Sequence, residues 1–330
     1  MSASSAHKIR IESVVTDLEL MPNLRLLKWM SRAWSTQRAL IGGGLLLMGI
    51  AVSGYAQPTK PETPSEQARP CAQSKSGCPP LKWVTLPAGS FKMGSSEGDA
   101  DERPTRRVQV RAFTLAATEV TVDQYRACVE AGVCTAPAGH ADNWSKNYCN
   151  WGQRGRARHP MNCVDWAQAR TFARWVGGDL PTEAQWEYAA RSAGQSVAYP
   201  WGDEEASCSR AIVSDGGGGC GKERTWRVCS RPQGHTSQAL CDMAGSVWEW
   251  TLDEYKGSYR GAPANAEQSV GSLPTCTRRC AADSTAKRVY RGGGWRSSPR
   301  DLRVTNRYGG PAHHQFNNVG FRPTLAIAPR

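Results

Sequence analysis

Residues Cys241 to Trp250 (CDMAGSVWEW) place an acid-glycine turn, Asp242 to Gly245, directly before a segment that sets Glu249 between Trp248 and Trp250. In an extended segment side chains alternate, so the two tryptophans face one way while Val247 and Glu249 face the other. A carboxylate buried beside tryptophans is costly unless something neutralises it. An arginine such as Arg291 or Arg322 would serve, and so would a hard cation, which takes carboxylates and backbone carbonyls as ligands. Other residues that could do chemistry are less organised. The six histidines (7, 140, 159, 235, 313 and 314) show neither HxxxH nor HExxH spacing, and the adjacent pair His313-His314 reads as a solvated loop. There is no GxSxG elbow, and Gly216 to Gly219 lacks the lysine and Ser/Thr of a phosphate cradle.

Twelve cysteines (71, 78, 128, 134, 149, 163, 208, 220, 229, 241, 276 and 280) all follow a segment with the marks of a secretory signal. Arg25, Lys28, Arg32 and Arg38 precede an apolar run, Ala39 to Val52, and Gly54 and Ala56 supply the small residues of a cleavage site after Ala56. Met30 opens a signal of more ordinary length within the same stretch. An uncleaved anchor is the alternative, but the run is short and glycine-rich for a bilayer crossing. Export to a periplasm, cell envelope or extracellular space is therefore expected, with membrane contact only through an uncleaved signal. In such a compartment an even cysteine count favours disulfides. Pairing nearest neighbours would join 71 to 78, 128 to 134, 149 to 163, 208 to 220, 229 to 241 and 276 to 280, although the sequence alone leaves the connectivity open.

Residues 1 to 56 carry six basic and three acidic side chains, so their removal takes the formal net charge from +12 to +9. The arginines are spread among loops rather than drawn into a stripe with a matching fold motif, so nucleic acid is not expected as a partner. Attraction to anionic envelope polymers stays open.

The elements that must position these residues are few. Residues 57 to 80, rich in Pro, Ser, Gln and Lys, read as a tether. Trp83 to Met93 is predicted to form a hairpin turning at Pro87-Ala88-Gly89. Thr121 to Gln124 fits a capping box for a helix ending near Gly132. Asp165 caps a helix with Trp166, Ala169, Phe172, Ala173 and Val176 on one face and Gly177-Gly178 as its stop. Thr182 to Gln185 repeats the box before Trp186, Ala189 and Ala190. From Arg191 to Arg291 the chain is short strands and long Gly- and Cys-rich loops, which must be held by disulfides, buried tryptophans or bound ions. Most tryptophans are assigned to the core, with Trp144 and Trp151, in a loop containing Asn143, Asn147 and Asn150, as the candidates for ligand contact.

Nine ordered blocks resemble one family: GSFKMGS (89–95), DERP (101–104), TEVTVDQYRACV (118–129), HPMNCVDWAQARTFARWVGG (159–178), LPTEAQWEYAAR (180–191), YPWGD (199–203), CDMAGSVWEW, RGGGW (291–295) and NNVGFRP (317–323). Their order is that of the formylglycine-generating enzyme, or sulfatase-modifying factor, family, and the similarity covers residues 81 to 328. The resemblance implies a single α+β domain of the C-type-lectin-like kind with little regular secondary structure. It also implies a structural calcium site whose ligands are the Asp242 side chain, the Gly245 and Val247 carbonyls and the Glu249 carboxylate. Ser246 stands where an Asn is usual, and Ala211 replaces an Asn ligand of the family's second calcium site, which is therefore not expected.

The resemblance separates this chain from the family's oxidases. Members that convert a cysteine to formylglycine hold copper with two cysteines just after the GG-aromatic block, as soft thiolates suit Cu(I). Here residues 296 to 330 contain no cysteine, and Leu302 and Arg307 align with the two positions. Cys276 and Cys280 lie upstream and read as a small disulfide. The histidine-bearing helical domain of the sulfoxide-forming iron branch has no counterpart. Copper is thus not expected, and the reading is a binding or accessory module with no catalytic residues. Its ligand is a protein or an anionic group in the cell envelope. The cleft floor is assigned to Leu302, Arg303, Asn306, Arg307 and Tyr308, with Arg307 offering positive charge where copper would sit. The alternatives are a metal-dependent oxidoreductase of the same family acting on a protein cysteine, and a diversified lectin-like display protein.

Overall fold

The computed structural model describes residue 71 and residues 78–137, 148–266 and 286–326 of the 330-residue chain. The signal segment, Trp144 and the Cys276/Cys280 pair lie outside the described residues. Among the described residues, nine strands and three helices of eight or more residues punctuate long loops. Strands β1 (Trp83–Leu86), β2 (Gly89–Met93), β3 (Arg106–Val110) and β4 (Phe113–Ala116) come first, followed by helices α1 (Val122–Glu130), α2 (Trp166–Trp175) and α3 (Glu183–Ala190). Strands β5 (Trp248–Glu254), β6 (Lys287–Arg291), β7 (Arg307–Pro311), β8 (Val319–Gly320) and β9 (Thr324–Ala326) follow. Among the described residues no helix is long and apolar enough to cross a membrane.

All three helices begin at the residues the sequence marks. Thr121, Asp165 and Thr182 each accept from the backbone N–H three residues on, and Gln124, Gln168 and Gln185 return the bond to the cap. These reciprocal bonds satisfy backbone donors that a helix start leaves orphaned.

The expected β1–β2 hairpin does not form. β1 pairs with β4, which pairs with β9, while β2 pairs with β3, all antiparallel. The side chain of Tyr188 explains the separation. Its hydroxyl donates to the Pro87 carbonyl at 3.1 Å, and a Cβ at Gly89 would lie 2.5 Å from that oxygen, so the turn is splayed around it.

A four-stranded sheet in the order β7-β6-β5-β8 carries the central strand, with β5 and β8 parallel. Along β5 the side chains alternate as expected. Trp248 and Trp250 both meet Tyr290 edge-on in a core that includes Tyr125, Phe172 and Phe321. Glu249 faces the other way, toward Trp186 of a second core that contains Leu86, Phe91 and Val108. β5 thus divides two hydrophobic cores, and the carboxylate points into the seam.

The tether is shorter than the sequence suggests. Cys71 is buried in the first core and bridged to Cys78, so the chain is tied to the domain ten residues before Leu81. Apolar burial of a half-cystine outweighs the polar composition around it.

Candidate functional site

The turn before β5 is built from unusual backbone. Asp242, Gly245 and Ser246 all have positive φ, and a Cβ at Gly245 would meet the Ile212 carbonyl at 2.7 Å. Hydrogen bonds from Gly245 N–H to Gly292 O and from Ser246 N–H to Ile212 O fix the turn, and the Cys229–Cys241 disulfide anchors its entry. In this frame Glu249 is 1% exposed. Of the two arginines the sequence offered, Arg322 is its partner: Nε donates to Oε2 and Nη2 to Oε1, each at 2.7 Å. Trp186 Nε1 adds a bond to Oε2 at 2.9 Å. Arg291 turns instead to Glu187.

Two more carboxylates crowd this pair. Glu119 is fully buried, and neither of its oxygens has a hydrogen-bond donor in geometry. Burial, then the nearby charges of Asp242 and Glu249, push its carboxyl well above the usual range, against the pull of Arg322 and Ser246. Asp242, which accepts the Cys229 N–H at 2.6 Å, is likewise raised by burial. Three carboxylates therefore share one guanidinium. A carboxylate offers about four lone-pair sites, and Glu249 uses three of them, leaving one on Oε1. The surplus of oxygen donors and the orphaned Glu119 fit a hard divalent cation at this turn. Nothing local marks Glu119 in the sequence: it stands two residues before the α1 cap Thr121, and its neighbours Asp242 and Glu249 lie more than a hundred residues away.

The five residues assigned to a cleft floor do not share one surface. Leu302 is fully buried, packed where a Cβ on Gly293 would come within 2.8 Å. Asn306 is buried and donates to Asp301 O at 2.8 Å. Arg307 is buried against Glu183, with Nε and Nη2 donating to the two carboxylate oxygens at 2.7 and 2.8 Å. Its Nη1 donates to Asp101 O and Lys256 O, and its guanidinium stacks 4.3 Å over Tyr259. Burial alone would push the Glu183 carboxyl up, but Arg307 and Arg291 hold it below its usual range. An anion at Arg307 would have to displace Glu183. Tyr308, next along β7, points the opposite way and is 59% exposed, stacked on Tyr290 and 6.0 Å from Trp248.

Of the five, Arg303 lines a cavity of about 530 Å³, shared with Lys92, Arg191, Gln195, Asp203 and Thr305. Arg303 is steadied by Glu102 at 2.6 Å, and Arg191 by Glu187 at 2.9 Å. The cavity, the Arg291 pair and the Arg307 pair thus converge on α3 through Glu183, Glu187 and Arg191. Those positions recur every fourth residue on one helix face. That spacing is legible in LPTEAQWEYAAR, beside the stripe of Trp186, Ala189 and Ala190 that marks the helix's apolar face.

Comparison with known proteins gives a consistent result. Residues 68–327 match the sulfatase-modifying factor enzyme 1-like domain. The chain is 31% identical over 277 residues to the formylglycine-generating enzyme of Mycobacterium tuberculosis, covering 66% of this chain and 87% of that protein. It is 28% identical over 287 residues to the inactive C-alpha-formylglycine-generating enzyme 2 of Bos taurus, covering 73% and 87%. The solved structure of PvdO from Pseudomonas aeruginosa superposes with a TM-score of 0.59 at 26% identity, over 77% of this chain and 96% of that one.

Proposed function

The chain belongs to the sulfatase-modifying factor (formylglycine-generating enzyme) family, and from that premise we propose that it is an exported, calcium-structured binding or accessory module of the cell envelope rather than a copper oxidase. The observation that carries this reading is the filling of the two positions that align with the oxidase thiols. Leu302 is sealed in the core and Arg307 is chelated by Glu183, while residues 296–330 offer no cysteine. Every described cysteine is already in a disulfide. A relative that carries the name "inactive" supports a non-oxidase role for this scaffold. Five disulfides support an oxidising compartment. The open cavity beside Arg303, rather than the buried Arg307, is the place for a ligand.

The test is to incubate the mature chain with a CxPxR peptide, copper and oxygen. The peptide is expected to keep its mass, and the decrease that accompanies conversion of a cysteine to an aldehyde would establish the oxidoreductase alternative instead. Calcium is tested separately. Its site would be held by Asp242, the Gly245 and Val247 carbonyls and Glu249, with Glu119 facing it, and the ion would neutralise the surplus carboxylate charge. Removing divalent ions with a chelator is expected to lower the melting temperature, and calcium to restore it. Asp242→Asn should abolish the restoration. A melting curve indifferent to chelator and calcium would remove the ion from the account.

A further inference from the structure

Arginines that the sequence scatters are gathered by the fold onto one face. Residues 150–159 and 222–228 are separate loops, joined through a buried polar knot. Asn150 donates through Nδ2 to Thr225 Oγ1 at 2.9 Å and to Pro160 O at 2.8 Å, and its Oδ1 accepts from Arg156 Nη1 at 2.8 Å. His159 Nδ1 lies 2.9 Å from the same Thr225 hydroxyl, and Val228 N–H donates to Arg158 O at 3.0 Å. The Cys149–Cys163 disulfide closes the first loop, and a bond from Trp226 Nε1 to Gly219 O steadies the second. The knot gathers Arg156, Arg224 and Arg227 around His159 and ties Arg158 to the second loop through its carbonyl; Arg154 and Lys222 lie on the same two loops, and all six are exposed except the half-buried Arg156.

Across the rest of the domain arginine is commonly matched to a carboxylate: Arg170 to Asp179, Arg191 to Glu187, Arg303 to Glu102, Arg322 to Glu249. Among the described residues, none of the six cations on this face forms an ion pair. The acid among them, Glu223, is exposed and is engaged by the Gly218 N–H, which donates to it at 2.8 Å, so the two loops keep a net positive charge. The imidazole of His159, beneath the face, registers the concentration of charge: burial first, then Arg156, Arg224 and Arg227, push it down to about 4.

The geometry points to a docking surface for a linear acidic polysaccharide that carries sulfate or carboxylate groups at close intervals. Five of the six cations are arginines, whose planar fork matches such oxyanions two bonds at a time. An anionic membrane fits less well, because Tyr308, elsewhere on the molecule, is the exposed large apolar side chain among the described residues, and this face has none to seat in the acyl boundary. Single-stranded nucleic acid fits less well too. The flanking rings of Trp151 and Trp226 each already carry an arginine on one face, Arg126 at 5.8 Å and Arg231 at 4.3 Å, which reduces the ring surface offered to a base. The inference goes beyond the accessory-module reading and is independent of copper and calcium.

The experiment uses the mature chain, with heparin as the probe and neutral dextran, a single-stranded DNA oligonucleotide and phosphatidylglycerol vesicles as comparators. A patch variant, Arg158→Ser/Arg224→Ser/Arg227→Ser, is set against a control with the same charge change on other exposed positions, Arg107→Ser/Lys256→Ser/Arg260→Ser. Melting curves confirm that both variants fold. The patch variant is expected to bind heparin at least about tenfold more weakly, and its slope of log affinity against log salt to fall by about two, as loss of three contacts implies. The control should stay within about twofold of the parent, and heparin should move the His159 imidazole titration upward in the parent and in the control but not in the patch variant. Equal losses in both variants would reduce the effect to net charge and overturn the site. Tighter binding of DNA or vesicles than of heparin, with the same dependence on the patch, would overturn the choice of partner.

Discussion

Arg322 neutralises Glu249 with two hydrogen bonds and also donates to the Cys241 and Ala116 carbonyls, so one guanidinium joins β5, the Asp242 turn and the end of β4. Removing it strands a buried carboxylate, which costs about 3–5 kcal/mol. Arg322→Met is expected to destabilise the domain by that amount in denaturant unfolding, and Arg322→Met with Glu249→Gln to recover part of it. A loss below about 1 kcal/mol would mean that water already screens the pair. His159 supplies a second prediction at this scale. Its folded value is held near 4, against an ordinary 6.5. Below pH 6.5 the unfolded chain therefore takes up a proton that the folded one refuses, and stability falls as pH drops toward 4, then levels. His159→Gln should flatten that part of the profile, measured as melting temperature against pH. The sequence made part of this site legible. Alternation around Glu249 and the need for a counter-charge were readable from residue types, and Arg322 was one of two candidates. The choice between Arg322 and Arg291 was not, because the β5–β6 register sets Arg291 directly across from Glu249, and only the packing of α3 gives its guanidinium Glu187 and Glu183 instead.

The helices were readable and the strand pairings were not, for one physical reason. A capping box is a contact between residues three apart, so Thr121, Asp165 and Thr182 announce their helices whatever the rest of the chain does. A strand's partner is chosen by distant residues. β1 passes over its neighbour β2 to join β4 and, through it, β9, some 210 residues away in the Thr324–Thr114 bond. Helix α3 matters most to the site, because Glu183, Glu187 and Arg191 tie it to Arg307, Arg291 and the cavity. Thr182→Ala removes the cap bond to Gln185 N–H at 3.1 Å and is expected to lower stability by about 1 kcal/mol, the ordinary worth of such a cap. The useful comparison is Thr121→Ala at α1, which loses the same kind of bond. Binding at the cavity, once a ligand is in hand, should weaken in the α3 variant and not in the α1 variant.

At the scale of the molecule, loops predominate over regular elements, and the chain closes its loops covalently. Five described disulfides span separations of only 6 to 14 residues, and each joins cysteines adjacent in the list along the chain, the pattern that nearest-neighbour pairing gives. In the chain-entropy view a closed loop of about 15 residues contributes about 3 kcal/mol, and shorter ones somewhat less. Five such loops sum to roughly 14 kcal/mol, as much as the upper end of the 5–15 kcal/mol that is the whole net stability of an ordinary domain. The expected outcome is that a dithiol reductant abolishes the cooperative melting transition of the domain, while the oxidised protein keeps it. Cys149→Ala/Cys163→Ala isolates the largest of these loops and should cost about 3 kcal/mol. That variant carries a second consequence, because the bridge flanks Asn150, whose amide holds Thr225 and Arg156 in place. Affinity for heparin should therefore fall in the bridge variant even under conditions where the rest of the domain remains folded. A reduced chain that melts at the oxidised temperature would show that the two hydrophobic cores hold the loops unaided, and that the covalent account of this fold is mistaken.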